Sequence, residues 1–213
     1  MKYAVFSDIH GNLPAFEAFL RAVKSEVNGY ICLGDVVGYG PMNDVCLERV
    51  SRLPNLVFLK GNHEQMFLDM DTSRCSALAR SFFEVSRPLF SRGDLLPVQE
   101  EFRLGAWKFC HSPKKDGAWP YPYDPEKTPA LEGHLCIGHT HHQTRVEKNG
   151  FKLVNVGSIG QNRAAKNLAC WGLYDTAKDD MALCSVEYDL VPFLRALRDA
   201  GYAEELVGYY KLG

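Results

Sequence analysis

The first sixty residues repeat one short pattern three times, and that repetition limits the folds open to the chain. KYAVF (2–6) runs into SDIHGN and a helical stretch, GYICL (29–33) into GDVVGYGP and a second, LVFL (56–59) into KGNHE and a third. Each β-rich run ends in a polar, glycine-containing loop that leads to a helix. Such alternation predicts a parallel or mostly parallel sheet with helices outside it. In sheets of that kind the loops at the C-terminal strand ends are where ligands bind. The first helix is predicted to open on Asn12 as N-cap with Pro14 in its first turn, and to share one face among Leu13, Phe16, Leu20 and Val23. The second is predicted to bury Val45, Cys46 and Val50, and residues 64–95 read as helical, most clearly in SALARSFFEV.

From Gln99 the pattern changes. QEEFRL and WKFCHS read as strands paired around Gly105, and QTRVEK and FKLVNV as a hairpin through Asn149-Gly150. A further hairpin joins ACWGLYD to ALCSVEYD. A terminal helix begins near Asp189, turns Val191, Leu194 and Leu197 inward, and stops at Gly201. The second half is therefore expected to supply a mainly antiparallel sheet. The resulting fold class is α/β: two packed mixed β-sheets flanked by helices in four αββα layers, as one domain over residues 1–213. The proline-rich stretch from Ser112 to Pro129 suits neither helix nor central strand. Its Trp119, Tyr121 and Tyr123 are read as a base-stacking surface, a lid or a braced surface loop.

Hydrophobic residues make up 46% of the 213, enough for a substantial core, which excludes disordered and fibrous classes. The 24 Lys and Arg nearly balance 26 Asp and Glu, so no basic excess exists to bind nucleic acid or an anionic membrane in bulk. Seven scattered cysteines, none in a C-x-x-C pair, read as small buried hydrophobes in a reducing compartment. No secretion signal or membrane-length apolar run is present, so a cytoplasmic location is expected.

Histidine carries the chemical information. Five of the seven, His10, His63, His111, His139 and His141, sit in polar segments that follow predicted strands, beside Asp8, Asp35 and Asn62. Residues i and i+2 of a strand point the same way, so Asp8 with His10, and His139 with His141, are expected to aim in pairs. Imidazole, carboxylate and amide donors together suit borderline divalent transition ions. Seven ligands exceed the needs of one tetrahedral ion and fit two ions sharing a carboxylate. His142 is read as a rim residue, His134 is given no role, and Lys60 is read as a solvated lysine or a phosphate contact.

In order, SDIHGN, GDVVGYG, GNHE, the strand-end His111 and GHTH resemble the calcineurin-like metallophosphoesterase superfamily, in its small bacterial and archaeal single-domain branch. NVGSIGQNR and SVEYD extend the resemblance over nearly the whole chain. It implies Asp8, His10 and His141 on one metal ion, Asn62, His111 and His139 on a second, and Asp35 bridging both. It further implies two divalent transition ions (Mn, Fe, Zn, Co or Ni) and in-line attack on phosphorus by a hydroxide bridging them. His63 matches the residue that protonates the leaving oxygen.

The substrate implied is a small phosphate mono- or diester, with nucleotides and dinucleoside polyphosphates among the candidates. Asn12, Tyr39 and Arg163 are candidate substrate contacts, each also readable as an ordinary loop residue. Two alternatives accompany this reading: a non-catalytic metal-binding scaffold on the same fold, and a phosphoprotein phosphatase. Against the latter, Gly38 and Tyr39 stand where the phosphatase branch carries Asp-Arg, the Asp of which orients the acid histidine.

Overall fold

A computed structural model of the chain describes residues 1–23, 26–114 and 132–211. Trp119, Tyr121 and Tyr123 lie outside the described residues. In chain order the elements are β1 (Lys2–Phe6), α1 (Leu13–Val23), β2 (Gly29–Cys32), α2 (Asn43–Ser51), β3 (Leu56–Phe58), α3 (Asn62–Asp69) and α4 (Ala77–Ser86). They continue with β4 (Glu101–Leu104), β5 (Trp107–Cys110), β6 (His134–Ile137), β7 (Gln143–Lys148), β8 (Phe151–Val156), β9 (Leu168–Asp175), β10 (Asp180–Glu187), α5 (Val191–Asp199) and α6 (Glu204–Tyr209). Two five-stranded sheets result, ordered β10-β9-β1-β2-β3 and β4-β5-β6-β8-β7, flanked by helices. The expected α/β sandwich is therefore present.

Strand alternation builds two apolar layers from one set of strands. Val5, Ile31 and Leu33 face the second sheet and pack with Trp107, Phe109, Cys136, Val154 and Val156. Their neighbours Ala4, Phe6, Tyr30 and Cys32 face the other way and meet Phe16, Phe19 and Val23 of α1 and Cys46, Leu47 and Val50 of α2. Two helix faces differ from expectation. Val45 is 44% exposed, its place in the core taken by Leu47, and Val191 is 58% exposed while Phe193 and Leu197 are buried. In both cases the inward stripe is rotated by about one residue, a shift that short helices with few apolar positions do not specify strongly.

The second sheet also departs from the predicted antiparallel form. Its outer pairs β4–β5 and β7–β8 are antiparallel, but its centre, β5–β6 and β6–β8, is parallel. The β9–β10 hairpin does not join it; β9 pairs antiparallel with β1 in the first sheet. Burial explains the placement. Ala169, Cys170, Trp171 and Gly172 of β9 are consecutively buried, as a strand covered on both faces must be. The parallel centres have a consequence for the site: β1, β2 and β3 of one sheet, and β5, β6 and β8 of the other, each deliver their C-terminal loops to one edge.

One side chain braces those loops. Glu64, at the third position of α3, is fully buried, and its carboxylate accepts hydrogen bonds from the backbone N–H groups of Asp35 (2.7 Å), Val36 (2.7 Å), Val37 (3.3 Å) and Gly61 (2.8 Å). The loop after β2 is thereby tied to the loop after β3. Burial, with Asp35 nearby, pushes the Glu64 carboxyl up to about 7. Replacing it with alanine strands several buried donors at about 1–3 kcal/mol each. Glu64→Ala is therefore expected to lower unfolding stability by at least about 3 kcal/mol, read as a shift of the urea midpoint. A shift no larger than that of an exposed Glu→Ala control would show the brace to be dispensable.

Candidate metal centre

Six strand-end loops bring their polar residues to one place. Asp8 and His10 follow β1, Asp35 follows β2, and Asn62 and His63 follow β3 at the start of α3. His111 follows β5, His139 and His141 follow β6, and Arg163 lies in the loop after β8. The predicted alternation of a strand does not aim them. Asp8, His10, Asp35, His139 and His141 all have positive φ, between 51° and 68°. These five are among only nine non-glycine residues with positive φ in the described residues, and left-handed backbone of this kind costs about 1 kcal/mol or more per residue. Strain is concentrated where the chemistry-bearing side chains converge.

Asp8 and His10 do converge, but His139 and His141 part company. His141 Nε2 lies 3.1 Å from Asp8 Oδ1 and 3.1 Å from His10 Nε2, with His10 Nε2 3.6 Å from the same carboxylate oxygen. His139 Nδ1 instead meets Asn62 Oδ1 at 2.8 Å and His111 Nε2 at 3.2 Å, while His111 Nε2 is 2.9 Å from Asn62 Oδ1. Asp35 stands between the groups. Its Oδ2 is 3.3 Å from His111 Nε2 and 4.0 Å from His10 Nε2, and its Oδ1 accepts the His63 N–H at 2.8 Å.

Hydrogen bonding identifies what the first group lacks. His10 Nδ1 lies 3.1 Å from the Val37 carbonyl and His141 Nδ1 lies 3.0 Å from the Gln161 carbonyl. A carbonyl accepts only from N–H, so in the neutral ring Nδ1 carries the proton and Nε2 is a lone pair. Burial lowers the His141 imidazole to about 4, keeping it neutral. Two lone pairs and Asp8 Oδ1, a buried oxygen with no hydrogen-bond donor, therefore face one another. Three acceptors with nothing between them repel, and a cation removes the conflict. Carbonyl groups behind the histidines are the usual means of orienting imidazoles toward a metal.

The second group answers its own excess of acceptors with a proton. Burial opposes charging His111, yet the Asp35 carboxylate beside it raises the imidazole to about 9. Burial with His111 lowers His139 to about 4. Despite burial, Asp35 stays below the usual carboxylate range, chiefly because of the charged His111 beside it. Nitrogen and oxygen atoms within 4.8 Å of one another make three possible cation groups: Asp8–His10–His141, Asp35–His111–His139, and His10–Asp35–His63.

His63 is buried, 5% exposed, and burial lowers its imidazole to about 3, in contrast to the near-neutral value expected of an acid. Its ring packs against His10 (4.7 Å between centroids) and Tyr39 (5.0 Å), and its Nδ1 has no hydrogen-bond partner. Gly38 explains the missing partner. Its φ is +119°, and a β-carbon there would lie 2.4 Å from His63 Nδ1. The position that carries an orienting aspartate in phosphatases thus touches His63 here with no side chain at all.

A cavity of about 610 Å3 opens on this centre and is lined by Asp35, Tyr39, Asn62, His63, His139, His141 and Arg163. Asn12 does not take part. It is fully buried, its Oδ1 accepts the Ala15 N–H, and its amide donates to the Gly160 carbonyl (2.9 Å) and the Tyr188 hydroxyl (3.0 Å), leaving no group for a substrate. Lys60 is paired with Glu100 at 3.0 Å. His134 accepts the Lys152 N–H against Trp107, away from the cavity lining. Sequence reasoning missed Glu64, although glutamate three residues after a helix-opening glycine is a recognised N-terminal signal. It also missed the carbonyls of Val37 and Gln161, for which a sequence offers no sign.

Comparison with known proteins places the fold in a family. An uncharacterized protein of Methanocaldococcus jannaschii is 28% identical over 215 residues, covering 88% of each chain. The crystal structure of a metallophosphoesterase from Sphaerobacter thermophilus superposes with a TM-score of 0.78 at 23% identity, covering 99% of both chains. A hypothetical protein from Pyrococcus horikoshii OT3 gives 0.79 at 18% identity, covering 98% of this chain and 97% of its own. Residues 1–179 match the model of the calcineurin-like phosphoesterase superfamily domain, and the chain belongs to that family.

Proposed function

We propose that the protein is a dinuclear metal-dependent phosphoesterase acting on a small phosphate ester. Membership of a family of metal-using hydrolases supports the class, and one observation carries the dinuclear form. Asp35 Oδ2 lies within 4.0 Å of acceptors from both groups, as a carboxylate shared by two ions would. Asp8, His10 and His141 would hold one ion, and Asn62, His111 and His139 the other. When bound, such ions supply Lewis acidity toward phosphoryl oxygens and acidify water.

The chain's own residues supply the remainder. The Val37 and Gln161 carbonyls fix the rings of His10 and His141. Arg163 at the cavity wall offers a guanidinium for phosphoryl oxygen. His63 is the proton donor to the leaving oxygen. Since burial keeps its imidazole neutral, protonation depends on an anionic phosphate entering the cavity, which opposes the effect of burial. With no carboxylate at position 38, the ring is held by Tyr39 and His10 alone. That arrangement argues against the phosphoprotein phosphatase reading, and a histidine in the cavity wall favours an enzyme over a scaffold. Among the described residues no helix is long and apolar enough to cross a membrane.

Three measurements test the proposal. Metal-reconstituted protein is expected to bind about two ions and to hydrolyse at least one of bis(p-nitrophenyl) phosphate, its monoester, a cyclic nucleotide or diadenosine tetraphosphate. Two bound ions with no turnover on any of them would favour the scaffold. Asp35→Asn is expected to weaken both sites together in equilibrium dialysis; loss of one ion alone would show that Asp35 is not shared. His63→Ala is expected to keep both ions and lose about 10²–10⁴-fold in kcat on an ester with a poor leaving group. A smaller loss is expected on p-nitrophenyl esters, and equal losses on the two would remove His63 as the acid.

A further inference from the structure

Beyond the ion-holding residues, the loop after β8 carries basic groups that no carboxylate pairs with among the described residues. Arg163 and Lys166 both lie over the ring of Tyr209 in α6, with Arg163 Cζ 5.8 Å and Lys166 Nζ 4.4 Å from its centroid. Neither has a carboxylate within 4.0 Å among the described residues, and the buried Nε of Arg163 has no hydrogen-bond partner. Burial and the nearby Arg163 charge lower the Lys166 ammonium. Lys114, also at the cavity wall, differs in being paired with Glu100 at 2.6 Å.

This cluster is held in place, not merely adjacent. Asn12 donates to the Gly160 carbonyl and to the Tyr188 hydroxyl, which donates in turn to the Lys166 carbonyl at 2.7 Å. Asn162 Oδ1 accepts the N–H groups of Ala164 (2.7 Å) and Ala165 (3.0 Å). Tyr210 Oη accepts from Gln161 Nε2 at 3.1 Å. Repulsion between like charges is thus held in a preorganised loop, and an arriving anion relieves it. Tyr209 and Tyr210 lie beyond residue 179, where the family match ends.

We infer that Arg163 and Lys166, on the Tyr209 pedestal, form a second anion subsite beside the ion-holding centre. It takes a phosphate group of the substrate other than the one at which the ester is cleaved. Arg163, which also lines the cavity beside His141, joins the two. The word substrate rests on the phosphoesterase reading, whereas the anion site itself is measured without turnover.

The test is calorimetric titration of the metal-loaded protein with inorganic phosphate. Two binding events per chain are expected. Lys166→Ala should weaken one of them at least about tenfold, and Asp35→Asn should weaken the other. Tyr209→Phe should retain the Lys166-dependent event, since the ring remains, and Tyr209→Leu should weaken it. A single event in the unaltered protein, or two events indifferent to Lys166→Ala, would overturn the subsite. If the dinuclear reading alone is wrong, Asp35→Asn changes neither event and the Lys166-dependent one persists. Unfolding midpoints of the variants equal to that of the parent exclude misfolding as the cause.

Discussion

Acceptors that face one another without a donor are the constraint on which the rest of the structure depends. Asp8 Oδ1, His10 Nε2 and His141 Nε2 are buried within about hydrogen-bonding distance of one another, and each histidine has already given its proton to a carbonyl. The backbone that presents them is braced: Glu64 gathers four N–H groups from two loops, and five left-handed residues fix the directions of their side chains. Strained backbone and cation-seeking donors fall in the same few residues.

Electrostatics divides the site into unlike halves. In one, burial keeps His141 neutral and a carboxylate oxygen lacks a donor; in the other, His111 holds a proton against Asp35. His63 packs between His10 and Tyr39, buried and neutral, with Gly38 at the position where related phosphatases use a carboxylate. Farther out, Arg163 and Lys166 sit over the Tyr209 ring with no paired carboxylate among the described residues. Arg163, which lines the cavity, links this charge to the centre.

Much of this was legible in the residue order. The three strand–loop–helix units, the Asn149-Gly150 hairpin and the grouping of Asp8, His10, Asp35, Asn62, His63, His111, His139 and His141 all follow from short-range pattern. Inward faces were less legible: a helix of nine residues such as α2 has too few apolar positions to choose between Val45 and Leu47. The strand pattern also failed at the histidines. Period-two alternation holds inside a strand, and these residues lie just past strand ends in left-handed conformations, so His139 and His141 turn to different groups. Asn12, which its motif makes a candidate substrate contact or an ordinary loop residue, donates its amide to the Gly160 carbonyl and the Tyr188 hydroxyl.

By itself, the sequence determined which chemistry is available and at which end of each strand it stands, because strand, turn and cap preferences act over a few residues. Only the tertiary structure decided how those ends meet. The direction of β6 relative to β5 and β8 is a long-range choice, made by burial of both faces and by the connections between strands. Had those strands run antiparallel, His111 and the His139–His141 pair would stand at opposite edges of the sheet. Parallel pairing brings them to Asp8 and Asp35, and Tyr209 of α6, beyond the family match, seats Arg163 and Lys166 of the loop after β8.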